Sequence, residues 1–216
     1  MTISLRHSKI RLALHPLREG TGRPLLLLHA LGERSPAEVP AAAAGWPGAV
    51  FALDFTGHGG STLPAGGGYT CELLMGDADA ALGHLRSATL LGRGLGAYIA
   101  LLLAGARPAQ VRGAILCDGA GLGGGGPEPG AEDSPLAPPA AAGPPDPFAL
   151  QELSRDLRPP DYATSYAAQA ARRAELEPPL AVCAAERPPW LVAVLDTPAA
   201  RALSLAEALA TFAGAA

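Results

Sequence analysis

Histidine, cysteine and aromatic residues are all scarce in this chain of 216 residues, and each shortage narrows its possible chemistry. The five histidines are His7, His15, His29, His58 and His84, so no imidazole is available as a general base anywhere beyond residue 84. Cys71, Cys117 and Cys183 are widely spaced, without a CxxC pair or a histidine at ligand spacing. That excludes a zinc site and a disulfide framework, and leaves three free buried thiols as the expectation. No metal and no cofactor are expected. Aromatics make up only 5% of the chain, so its core must be built from Leu, Val and Ala.

A net charge of -4 without a basic cluster gives no electrostatic footprint for nucleic acid or for an anionic membrane. The longest apolar runs, such as Ala97 to Ala104, fall short of the roughly 20 residues that span a bilayer. Met1 to Arg11 alternates charged with apolar residues and has no apolar signal region, so a cytoplasmic location is expected.

What the sequence does contain is a succession of buried strands and helices. Ile10 to His15 reads as an edge strand, and Pro24 to His29, Ala49 to Asp54, Ala88 to Leu91 and Val111 to Cys117 as buried strands. Helices are expected from Ser35 to Ala44, from Thr70 to Arg86 with Thr70 as cap, and from Leu95 to Ala106. Such alternation predicts a doubly wound, mostly parallel α/β sheet, because parallel neighbours need a crossover that a helix supplies. Residues 119–147 hold 16 Gly or Pro among 29 and read as a flexible insertion. Residues 148–187 read as a reduced helical cap with helices at Ala149 to Leu157 and Tyr162 to Leu176. Trp190 to Leu195 is expected to return to the sheet and Ala199 to Phe212 to form a final helix, all within one domain of residues 1–216.

Three motifs stand in order at strand ends: Leu25 to Gly32 (LLLLHALG), Asp54 to Ser61 (DFTGHGGS) and Leu90 to Leu101 (LLGRGLGAYIAL). Together they resemble the α/β-hydrolase fold family. The first resembles the strand-end His-Gly motif, with Ala30 in place of the glycine. The second resembles the turn motif through Asp54, Gly57, His58 and Gly59. The third occupies the place of the nucleophile elbow, G-x-S-x-G, as Gly92-Arg93-Gly94-Leu95-Gly96. The resemblance implies an oxyanion pocket around His29, Ala30, Leu31, Arg93 and Leu95. It also implies a serine where Gly94 stands, a late acid at Asp118 or Asp196, and a histidine after that acid. The nucleophile and the histidine are both missing, and the chain is expected to lack the last strand and the loop that carries the histidine.

The function expected from this pattern is a non-catalytic domain that binds a small molecule or a protein partner. An alternative is an active hydrolase of small esters, amides or epoxides with a non-standard site at Asp54, Asp118 or a bound water. A second alternative is dinucleotide binding, because Gly92-x-Gly94-x-x-Ala97 fits that fingerprint and Asp118 ends the following strand. Each singled-out residue also has a structural explanation: His29 as a strand-end residue bonded to backbone, His58 as a locally bonded turn residue, Asp118 and Asp196 as caps, Arg93 as a solvated side chain.

Overall fold

The leucines of the first buried run form a strand with no exposed face, and they sit at the centre of the sheet. The computed structural model describes residues 1–127, 143–173 and 176–214. Its strands are β1 (Ile3–His7), β2 (Ile10–Arg18), β3 (Leu25–Leu28), β4 (Val50–Asp54), β5 (Ala88–Arg93), β6 (Val111–Cys117), β7 (Leu180–Val182) and β8 (Ala200–Ala202). They pair in the order β1-β2-β4-β3-β5-β6-β7-β8, with β2 alone running against the others. The expected doubly wound α/β sheet is therefore present. The expectation that the last strand is missing is corrected, since β8 pairs in parallel with β7 from Leu180↔Ala200 to Val182↔Ala202.

The strand side chains alternate between two apolar clusters, as a two-residue period requires. Leu26, Leu28, Leu53 and Leu90 point into one, beneath α1 (Cys71–Leu85), α2 (Leu95–Ala106), α4 (Pro160–Arg173) and α5 (Pro189–Leu195), with α3 (Pro147–Arg155) at its edge. Leu25, Leu27, Val50 and Ile115 point into the other, beneath α6 (Leu205–Gly214) and the short 3-10 turn Ala41–Ala43. α2 is buried on every side except at its last residue, consistent with its nearly unbroken apolar sequence. Thr70 caps α1 as expected, its hydroxyl accepting from the Leu73 amide at 3.1 Å.

Several expectations change. The segment Ile10 to Arg18 is flanked by β1 and β4, so β1 and not β2 is the edge. The helix expected from Ser35 to Ala44 is reduced to the turn Ala41–Ala43, because Pro40 has no N–H for an upstream helical bond and the Ser35 amide is drawn to Asp54 instead. Trp190 to Leu195 is a helix: Pro189 opens it, and Trp190, Leu191 and Val194 are buried while Val192 is exposed, which is helical spacing. The final helix of Ala199 to Phe212 divides into β8 and α6.

Of the segment 119–147 expected as an insertion, residues 128–142 lie outside the described residues. The segment 148–187 contributes α3 and α4 but also β7, which belongs to the sheet. α4 packs on α2 closely enough that the backbone of Tyr166 abuts Gly105, near the end of α2 remote from the elbow.

Candidate functional site

β5 ends at Arg93 and α2 begins at Leu95, leaving Gly94 alone to reverse the chain. It does so at φ 53° and ψ -117°, a conformation that L side chains rarely adopt. Gly92 and Gly96 keep the turn tight: a Cβ on Gly92 would strike the backbone of Gly96 and Ala97, and one on Gly96 the backbone of Leu28 and His29. The elbow geometry is thus complete in the main chain, without a hydroxyl at its apex.

The space over the apex is filled by the chain itself. After β6 the segment Asp118 to Leu122 folds back across Gly94, whose amide donates to the Cys117 carbonyl at 3.0 Å. The amides of Leu31 and Leu95 both donate to one acceptor, the carbonyl oxygen of Ala120, each at 3.0 Å. A Cβ on Gly94 would run into the carbonyl of Ala120 and the peptide of Gly119, and Gly119 in turn leaves no room for a Cβ against Gly94 and Ala30. Small residues on both sides therefore let two backbones pack in direct contact.

This loop is held from outside as well. Arg158, fully buried between α3 and α4, donates through Nη1 to the carbonyls of Gly121 and Leu122 and lies 4.8 Å from the ring centroid of Tyr98. Its Nε and Nη2 have no hydrogen-bond acceptor among the described residues, and burial lowers its pKa. Trp190 Nε1 donates to the Leu122 carbonyl at 2.9 Å. At the loop's start the Asp118 carboxylate accepts the amides of Ala185 (2.7 Å) and Glu186 (2.9 Å), tying the end of β6 to the segment after β7.

The turn motif after β4 is a hydrogen-bonded unit. Asp54 accepts from the Ser35 amide (2.7 Å), the Gly60 amide (2.7 Å) and His15 Nε2 (2.9 Å), and its own carbonyl accepts from Ser61 Oγ at 2.6 Å. Burial pushes this carboxyl up, but the two amides and the imidazole outweigh it and hold it below the usual aspartate range. Gly57 turns at φ 83° against the ring of Tyr69, and Gly59 at φ 51° against the Asp54 carboxylate.

Both buried histidines are fixed by main chain. His29 donates from Nδ1 to the Ala30 carbonyl (2.8 Å) and accepts the Phe55 amide at Nε2 (3.1 Å). His58 donates from Nδ1 to the Thr56 carbonyl (3.1 Å) and accepts the Gly32 amide at Nε2 (3.3 Å). A carbonyl only accepts and an amide only donates, so both rings are neutral with the proton on Nδ1. Burial, then the neighbouring His58, pushes His29 down to about 4, and burial lowers His58 also.

The remaining sequence-derived positions scatter. Arg93 is half exposed and pairs with Glu33 at 2.8 Å. Asp196 is exposed at the end of α5, just before β8, and so lies at the opposite edge of the parallel sheet from the elbow. The segment after β8 holds Leu203 and Ser204 and no histidine. Glu186 follows β7, and Leu180–Val182 is too short a strand for the sequence to mark that position. An open cleft of about 850 Å³ lies between the segment after β3 and the turn after β4, lined by His15, Glu33, Arg34, Ser35, Asp54 and Pro144 among others. Among the described residues no group of three His, Cys, Asp or Glu is placed to hold a metal. The dinucleotide reading meets a correction here, because the elbow amides that would face a pyrophosphate already bind Cys117 and Ala120.

Residues 25–215 match the model of the alpha/beta hydrolase family. The chain belongs to the α/β hydrolases. Among solved structures it is similar to a variant of the N-formylmaleamic acid deformylase Nfo from Pseudomonas putida S16, at 14% identity and a TM-score of 0.66, covering 94% of this chain and 92% of that one. It is similar also to a bacterial membrane phospholipase A described as a virulence factor, at 18% identity and a TM-score of 0.51, covering 95% and 78%. Epoxide hydrolase A from Mycobacterium thermoresistibile aligns at 22% identity and a TM-score of 0.46 over 54% of this chain, which spans only 38% of that enzyme. The first two likenesses establish the fold. No curated protein sequence matches the chain. No helix among the described residues is long and apolar enough to cross a membrane.

Proposed function

We propose that this α/β hydrolase has lost Ser-His-acid hydrolysis and serves as a non-catalytic domain that binds a small molecule or a protein partner. The observation that carries the reading is the shared acceptor of Leu31 and Leu95: the two amides that the family resemblance assigns to an oxyanion are engaged by the Ala120 carbonyl. A donor pair already facing a full acceptor cannot stabilise charge that develops on a substrate oxygen.

Three deficits reinforce one another. Gly94 has nothing to attack with, no imidazole follows β8, and the oxyanion position is taken. An oxyanion hole unaided leaves roughly 10³-fold over water, against the 10⁶-fold or more of an enzyme, and here even that contribution is blocked. The place for a ligand in this reading is the cleft beside Glu33 and Ser35, whose volume falls in the range of small-molecule sites. Three cysteines without a disulfide fit a reducing compartment, and a cytoplasmic location is part of the proposal.

The test is hydrolysis of p-nitrophenyl acetate and butyrate by the purified chain. The expected rate equals that of buffer with no saturation. Saturable turnover that disappears when the protein is unfolded would overturn the reading in favour of an active hydrolase with a non-standard site.

A further inference from the structure

Cys117 and Cys183 take no part in the reading above, and the sheet brings them together. Cys117 is the last residue of β6, Cys183 directly follows β7, and these strands run parallel with Leu116 opposite Val182. The cysteines therefore stand one register step further along neighbouring strands. Cα atoms at such positions lie about 4.8 Å apart, inside the roughly 4.4–6.8 Å that disulfides span.

At a common register position on parallel strands side chains leave from the same face, and both cysteines pack at the margin of the same apolar cluster, the one beneath α6. Backbone holds each in place: the Cys183 amide donates to the Leu116 carbonyl at 2.8 Å and the Cys117 carbonyl accepts from Gly94. Both are half-buried, where Cys71 is fully buried in the opposite cluster. The expectation of three buried thiols thus holds for Cys71 alone.

The two thiols are also electrostatically unlike. The neighbouring Cys117 lowers Cys183, with Arg187 assisting against burial and Glu207, while the neighbouring Cys183 and then burial push Cys117 up despite Arg93. One thiol is thus favoured as the nucleophile and the other keeps its proton, the division of labour found in dithiol redox pairs.

We propose that Cys117 and Cys183 are a redox-active dithiol that exchanges with small disulfides of the glutathione class. Cys183, as thiolate, attacks one sulfur of the incoming disulfide: a bond to Cys183 forms, the S–S bond of the small molecule breaks, and one thiolate leaves. Cys117 then gives its proton to solvent and attacks Cys183 Sγ, which expels the second small thiol. The two protein thiols are oxidised by two electrons to one bridge, and one small disulfide is reduced to two thiols. A bridge between neighbouring parallel strands must draw two parallel Cα–Cβ bonds together, which suits a reversible bond better than a permanent one.

The experiment equilibrates the full chain with oxidised and reduced glutathione at several ratios, quenches with acid, and counts thiols by alkylation and peptide mass. The expected result is loss of two of the three thiols with the 117 and 183 peptides joined, Cys71 free, and full reversal by dithiothreitol. Cys117→Ser should stop at a glutathione adduct on Cys183, and Cys183→Ser should slow adduct formation at Cys117 by about tenfold or more. Three free thiols at every ratio in the folded wild-type chain, or adducts on both cysteines without a bridge, overturn the proposal. The wild-type measurement decides the matter even where a variant fails to fold.

Discussion

Leu31 and Leu95 come from different strand ends, yet their amides converge on a single oxygen of Ala120 at 3.0 Å each. One follows β3, the other opens α2, and the acceptor belongs to the segment leaving β6. A convergent donor pair of this kind ordinarily awaits a ligand oxygen; here the protein supplies its own.

Gly94→Ser and Gly94→Ala should behave alike. Both place a Cβ against Ala120 and Gly119 at a residue with φ 53°. Left-handed strain together with overpacking should lower the unfolding free energy by about 2–4 kcal/mol. Urea denaturation measures the loss, and the serine variant is expected to hydrolyse p-nitrophenyl esters no faster than the parent. A Gly94→Ser variant as stable as wild type would show that the loop yields readily.

Arg158→Met should loosen the loop from behind. Methionine retains the apolar length of the side chain but removes the donors to Gly121 and Leu122 and the contact with Tyr98. Local opening should become easier by at least about 1.4 kcal/mol, tenfold in equilibrium, so the Leu31 and Leu95 amides should exchange with deuterium about tenfold faster. Amides in the centre of α1 serve as the internal control and should be unchanged.

Asp54→Asn replaces a carboxylate that accepts two amides and an imidazole. Weakening those charged hydrogen bonds should cost about 2 kcal/mol at neutral pH. The folded carboxyl is held below its ordinary value of 3.8, so its contribution is complete above that value and is lost as pH falls through the lower, folded one. The stability gap between wild type and variant should therefore close in strong acid. A gap independent of pH would mean that packing, not charge, is what asparagine disturbs.

His29→Asn probes the opposite side of the same logic. The folded imidazole titrates at about 4 and the unfolded one near 6.5, so between those values the unfolded chain binds a proton that the folded one refuses. Stability should rise with pH across that window, and this slope should be reduced in the variant. Comparing the two proteins isolates His29 from His58, which burial also lowers, and from buried Asp77, which burial raises. Chemical denaturation at intervals between pH 4 and 7 supplies the comparison.

Long buried runs were legible in the sequence: β3, β4, β6, α1 and α2 each lie within two residues of expectation at either end, since apolar runs of strand length alternate there with longer helical stretches. Three-residue strands such as β7 and β8 carry too little pattern to separate them from their surroundings, and WLVAVL is apolar enough to serve as strand or helix until the proline before it is weighed. The elbow was legible because glycines at 92, 94 and 96 follow two further motifs in order; alone they also fit a dinucleotide-binding turn. The occupant of the elbow was not. Gly119, Ala120 and Gly121 read simply as the start of a Gly- and Pro-rich stretch, and nothing in their composition says which amides their carbonyls meet.

The interlock of Gly94 with Gly119 and Ala120 also imposes an order on change. A side chain restored at position 94 is a liability until the segment after β6 has withdrawn, and withdrawing that segment leaves the Leu31 and Leu95 amides without an acceptor. Neither single step is neutral, and each is favourable only after the other. In the proposed reading this makes the absence of a nucleophile a ratchet: a chain whose own backbone fills the elbow cannot regain a side chain at position 94 by one substitution alone.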